Sequence, residues 1–480
     1  MDRRRLWRGA AAKRESERVR VPAPLVRRRI ASGRGATEQP NVTGDGEAGL
    51  TPMFWLMVVL TGVATGLFGD ILMWVLFSVE HLAFGYTRSG SLQAAVERSS
   101  DLRRVTSLLV GGAIGGVAWY FLRRYTAGES SELDEQVWTG EGKLSFRRSL
   151  GTSVISEVVV GMGASMGREA APKLMGGAWA SLLATWSRLS PGQRRLLVAC
   201  GGGAGLAAVY NVPLGGALFT AEVLCGSLTL PVVLPALACS FIATATAWIY
   251  LPDRATYLDI PGYHFSMALV VCAVLAGPVV GLVASGYVRL IGWASHHRVA
   301  GKKAMLAPLL ACGVLGLIGI QYPQLFGNGK DMAHAAFLGE GGAALLAALF
   351  VLKPLVTSLV LGSGAQGGLF TPTLSTGAVL GALIGLGWSL LWPGSPVGAY
   401  AMIGAAAMAG ASMQAPLTAL ALVLEMTHSG FSLMVPMIAA TVGATAVTRY
   451  VDGYSIYTAR LRATSGNSTA SSTETGPALT

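Results

Sequence analysis

The chain has 480 residues, 52% of them hydrophobic and only 13% charged, with a formal net charge of +11. A soluble chain carries about a quarter charged residues, so the composition excludes an ordinary water-soluble domain and points to an all-α integral membrane protein. The charge is uneven: residues 1–48 hold twelve Lys/Arg against six Asp/Glu, which is +6 of the +11.

In chain order, residues 1–50 read as a basic, disordered tail held in the cytoplasm by the positive-inside rule. A nucleic-acid-binding arm is the rival reading. It is set aside because the charge run directly precedes a membrane span, and no nucleic-acid partner is expected. The first apolar run begins at about residue 53, too late for a cleavable signal peptide. Crossing about 30 Å of hydrocarbon takes about 20 apolar residues. Met53–Phe77, Val105–Phe121, Met267–Val288, Ala304–Ile320, Ala343–Leu361 and Phe431–Val447 qualify. Val158–Met166, Leu196–Val209, Val212–Leu224 and Pro372–Leu391 are shorter or interrupted by Gly and Pro, as broken helices around a buried site would be. The membrane domain is expected over 51–463, in halves of about 51–255 and 256–463. Residues 464–480 read as a Ser/Thr-rich disordered tail with no regulatory domain after them, also cytoplasmic. The glycosylation sequons at Asn41 and Asn467 therefore carry no weight. The five cysteines, Cys200, Cys225, Cys239, Cys272 and Cys312, lie in apolar segments without metal-type spacing. They read as buried hydrophobes, and no metal or cofactor is expected.

Two blocks recur. Gly201–Val223 and Gly404–Met426 coincide at an offset of 203 in Gly201/Gly404, Ala208/Ala411, Pro213/Pro416, Leu214/Leu417 and Glu222/Glu425. Gly167–Ala178 and Gly367–Ala378 coincide at an offset of 200 in Gly167/Gly367, Pro172/Pro372, Leu174/Leu374 and Gly177/Gly377. Shared Gly/Ala bias does not explain the matched Pro and Glu. Two-fold repeats in membrane transporters meet at a midplane site built from interrupted helices.

The chemistry suits an anion. Residues 163–172 and 362–372 read as Gly-rich turns feeding Pro-started helices. A helix N-terminus carries unpaired N–H groups and about half a positive charge, and it binds an anion without a full cation. Binding must be favourable yet escapable. Glu169 sits in the first of these turns. A carboxylate at membrane depth is functional by default, and at a helix N-terminus it competes for the field that an anion would occupy. The bland alternative is an N-terminal charge on a surface loop.

These residues resemble the CLC chloride channels and chloride/proton exchangers, over about residues 53–463. Gly167-Arg168-Glu169 resembles the family's gating-glutamate motif. Gly367-Gly368-Leu369-Phe370-Thr371-Pro372 resembles its Gly-x-Phe-x-Pro element. Ala415-Pro416-Leu417-Thr418, Leu424-Glu425-Met426-Thr427 and Ser455-Ile456-Tyr457 resemble the end of its membrane domain. The resemblance implies two inverted repeats of broken and tilted helices, a homodimer with one pathway per subunit, and transport of chloride, with protons as a second partner in the exchangers. It implies a gate at Glu169 and an anion held by the Leu369 and Phe370 amides and the Tyr457 hydroxyl, with Gly167, Arg168 and Gly368 around it. The family's upstream Ser motif is absent; Ser130 or Ser131 falls at its place. Gly-Pro after the gating glutamate is replaced by Ala170-Ala171. Val223 stands where exchangers carry an inner proton glutamate, as in the channel branch. A bacterial inner membrane is the expected setting.

Two other functions stand beside this one. A fluoride or other small-anion exporter of the same fold is compatible with the missing Ser motif. Gly163-Ala164-Ser165-Met166-Gly167 fits a hydrolase nucleophile pattern, which would make Ser165 the nucleophile of an intramembrane hydrolase needing a histidine base. None of the six histidines lies within a long apolar run. Glu222 and Glu425 read as helix ends facing the cytoplasm or a vestibule, with a place in a proton path as the alternative for Glu222.

Overall fold

The computed structural model describes residues 50–87, 90–138 and 140–461. The expected tails, apart from Leu50, and both sequons lie outside the described residues. The described residues build an all-helical protein, with helices running from Pro52 to Val451. Seven are long and apolar enough to cross a membrane: Pro52–Phe84, Asp101–Tyr125, Leu230–Ala247, Met267–His296, Ala343–Gly362, Phe370–Ser389 and Phe431–Val451. A helix meets its own backbone hydrogen bonds, which is why it can sit in hydrocarbon. Large apolar side chains such as Ile71, Trp74, Leu275, Leu282, Leu310 and Leu317 point outward. They would be a liability in water and match a lipid surroundings. The five cysteines are free and buried.

Three segments differ from expectation. Ala304–Ile320 is split into a 3-10 turn, Gly301–Met305, and a helix, Ala307–Gln321. That helix has 15 residues, a rise of about 22 Å, short of the hydrocarbon thickness. Pro372–Leu391 was expected as a broken piece and is instead a continuous helix, Phe370–Ser389, with Pro372 in its first turn. Leu230–Ala247 is a span that is not among the apolar runs named above, and it carries two prolines, Pro231 and Pro235. Pro231 lies in the first turn, where the missing N–H costs nothing. Pro235 forgoes its bond only to the carbonyl of Pro231.

The repeat is visible in the backbone. Asn211 and Gln414, an offset of 203, both end their helices in the left-handed region, at φ 58° and 57°. Each is followed by a helix that opens on a matched proline, Pro213 or Pro416. Asn enters that region readily and Gln does not, so the shape belongs to the repeat rather than to the residue. Glu222 and Glu425 exchange roles across the halves. Glu222 accepts from the Leu417 and Thr418 amides at 3.3 and 2.7 Å, and Glu425 from the Leu214 and Gly215 amides at 3.0 and 2.6 Å. Each carboxylate therefore caps a helix of the other half.

Candidate functional site

Each half supplies one interrupted helix to a common junction. The Phe146–Gly161 helix ends, the chain turns through Gly163 at φ 105°, and the Ala170–Trp186 helix begins. In the second half Gly364, at φ 97°, precedes the Phe370–Ser389 helix. Gly167 and Gly368 then pair as an antiparallel bridge, each amide donating to the other's carbonyl at 2.7 Å. Two helix N-termini are thereby brought face to face, running opposite ways as an inverted repeat demands.

Glu169 lies at this junction, 1% exposed. Its Oε1 accepts from the Phe370 amide at 2.8 Å and, more loosely, the Thr371 amide at 3.4 Å. Its Oε2 accepts from the Tyr210 hydroxyl at 3.1 Å and the Thr371 hydroxyl at 3.2 Å. The carboxylate of one half therefore occupies the positive N-terminus of the other half's helix, as an anion would. A Cβ on Gly167 or Gly368 would overlap the Glu169 carboxyl, which explains glycine at both places.

Two cavities reach the junction region. The first, of about 40 Å³, is lined by Glu80, Tyr86, Arg168, Gln324, Lys330 and Asp331 among others. The Arg168 guanidinium lies over the Tyr210 ring at 5.1 Å and the Phe77 ring at 5.9 Å. Lys330, at the start of the short Lys330–Leu338 helix and outside the spans, has its ammonium pushed down to about 8 by burial, with the Arg168 charge adding to the effect. The second cavity, of about 90 Å³, touches Glu169 and is lined by Ser131, Asp134, Lys173, Leu369, Tyr457 and Arg460 among others. That volume holds several waters, since one needs about 10–15 Å³. Among the described residues no cluster of three or more His, Cys, Asp or Glu could hold a metal ion.

Glu169, Leu369, Phe370, Gly167 and Gly368 thus meet at one point, with Tyr457 and Ser131 along the second cavity and Arg168 along the first. Ser130 is not among that lining; its carbonyl accepts from the Ser145 amide. The amides of Gly167 and Gly368 face each other's carbonyls, so these residues shape the junction instead of donating to an anion. Ser165 is buried, and its hydroxyl lies 3.3 Å from that of Thr357, not beside a histidine. Tyr210 and Lys173 were not singled out from the sequence. Tyr210 stands one residue before a repeat-matched helix break. Lys173 is a charge within an apolar helix, the signal that marked Glu169.

The fold and this junction define a multi-pass membrane protein of two inverted repeats whose broken helices aim their N-termini at a buried site. The sequence model of the voltage gated chloride channel family matches residues 110–449, and the chain belongs to that family. It is 32% identical over 396 residues to a putative chloride channel protein ClcB-like of Ralstonia nicotianae, covering 77% of this chain and 88% of that protein. It is 30% identical over 380 residues to a voltage-gated ClC-type chloride channel ClcB of Citrobacter koseri, covering 77% and 89%. Among solved structures, a slow cyanobacterial Cl-/H+ antiporter matches with TM-score 0.73 at 22% identity, covering 85% of this chain and 97% of that one. A CLC-type fluoride/proton antiporter matches with TM-score 0.68 at 19% identity over the same shares. The two solved structures speak to the fold alone.

Proposed function

We propose that the chain carries chloride across the bilayer along a path through the two cavities, gated by Glu169. The observation that carries this is the Glu169 carboxylate seated on the Phe370 amide, in the place and field that suit a small anion. Seated, it blocks; neutralised by a proton or swung aside, it admits chloride to the Leu369 and Phe370 amides and the Tyr457 hydroxyl. The Arg168 side is the outer mouth and the Tyr457 side the inner one. Val223 is buried, and neighbouring Glu222 is engaged on the Leu417 and Thr418 amides. This favours chloride passage without a coupled proton. Two copies associate, each with its own path, in a bacterial inner membrane with both tails in the cytoplasm.

The test is purified protein in liposomes under a chloride gradient, with chloride and proton flux recorded together and fluoride run as a second anion. Chloride release is expected, rising as pH falls, with no proton movement. Glu169→Ala should keep the flux and lose its rise at acidic pH. A retained acid rise in that variant would sink the gate. Proton uptake against its gradient would replace the passive mode with exchange, and fluoride flux without chloride flux would replace the substrate.

A further inference from the structure

Lys173 lies in the first turn of the Ala170–Trp186 helix, four residues after Glu169. It is nine-tenths buried, 9% exposed. Its ammonium stands 4.3 Å from the Phe219 ring centroid and 4.9 Å from that of Tyr457. Among the described residues it has no hydrogen bond or ion pair. Asp134 lines the same cavity, and its buried Oδ1 has no hydrogen-bond partner. An ammonium taken from water loses far more than two ring faces return. What remains of its exposure opens into the second cavity.

We infer that Lys173 supplies the counter-charge of an anion site in this cavity, which takes a small monovalent halide between its ammonium and the Tyr457 hydroxyl. This rests on the transport reading above. The Tyr457 hydroxyl is free enough to serve: its one partner among the described residues is the Met413 sulfur at 3.8 Å. The lining otherwise holds one more cation, Arg460, and two carboxylates besides Glu169, namely Glu132 and Asp134. With Glu169 withdrawn these four charges balance, so an arriving anion replaces Glu169 charge for charge. Asp134 opposes Lys173, which keeps the anion releasable.

The test is calorimetric chloride titration of the purified full-length protein in detergent. Lys173→Met should weaken binding by about tenfold or more, and Lys173→Arg should restore it, because charge and not shape carries the effect. Asp134→Asn should tighten binding. A purely structural role for Lys173 and Asp134 would lower thermal stability in both variants and leave chloride affinity unmoved, which would overturn the assignment. If Lys173→Met fails to fold, wild-type crystals soaked in bromide decide. An anomalous peak within about 4 Å of Nζ supports the site, at ordinary ion-pair reach, and a junction without one overturns it. Wild-type vesicles that release no chloride would sink the transport reading. Vesicles that release it while Lys173→Met binds as wild type would remove only this inference.

Discussion

Tyr210→Phe tests the latch on the gate proposed at Glu169. The substitution keeps the ring against Arg168 and Phe370 and deletes only the hydroxyl that donates to Glu169 Oε2 at 3.1 Å. A hydrogen bond to a charged group contributes about 1.5–3 kcal/mol. Part of this is recovered. The Thr371 hydroxyl lies 2.6 Å from that of Tyr210 and 3.2 Å from Oε2, and it can turn its proton fully onto the carboxylate once Tyr210 is gone. A net loss of about 1–2 kcal/mol corresponds to about a 5–30-fold shift toward the withdrawn gate. Initial chloride efflux from liposomes should therefore rise by that order at neutral pH. The proposed acid opening of the gate makes the difference small at acidic pH. A Tyr210→Phe protein that elutes as the wild type does and passes chloride at the wild-type neutral rate would refute the latch.

Three further outcomes follow from the same geometry. Gly368→Ala places a methyl where the Glu169 carboxyl lies; folded protein should show flux without the acid rise, and wild-type gating would contradict the packing. Lys330 loses its charge as pH rises through about 8, so the Arg168-side mouth becomes less positive and chloride entry from that side should fall between neutral and alkaline pH. In Lys330→Met that fall should shrink, as measured by flux with the alkaline solution on one side only. Tyr457→Phe should weaken chloride binding by a few-fold, the loss of one neutral donor of about 1 kcal/mol; calorimetry showing no change would exclude its hydroxyl from the site.

Much of this junction was written in residues that break helices. Gly163, Gly167, Pro172, Gly364, Gly368 and Pro372 interrupt the apolar runs, and the structure turns and restarts a helix at each cluster. The repeat was legible for the same reason, because matched prolines outlast the drift of interchangeable apolar residues. The contacts were not legible. Tyr210 reaches Glu169 across 41 residues and Thr371 across 161, and no local pattern encodes such a meeting. Leu230–Ala247 spans despite its two prolines, because one lies in the first turn and the loss at the other is local. Lys353, inside an apparently apolar span, is fully buried, with its ammonium on the Gly327 and Leu325 carbonyls at 2.9 and 3.2 Å. A charge count over the whole segment hides such a residue.

The structure uses one device three times, and the surroundings decide what it does. Glu169, Glu222 and Glu425 each place a carboxylate from one half on the helix N-terminus of the other. Glu222 and Glu425 line neither of the two cavities, and each acts as a cap on the other half's helix. Glu169 borders the second cavity and follows directly on Arg168 of the first, so its seat is open to competition. The two kinds of site should separate on substitution. Glu222→Ala and Glu425→Ala each remove a cap of about 1–2 kcal/mol, and should lower the thermal midpoint by similar amounts while chloride flux keeps its pH dependence. Glu169→Ala should do the reverse, freeing the flux from its acid dependence at little cost in stability, because an anion fills the vacated field. Equal stability losses at all three positions, measured in chloride, would mean that Glu169 is a third cap and that the path lies elsewhere.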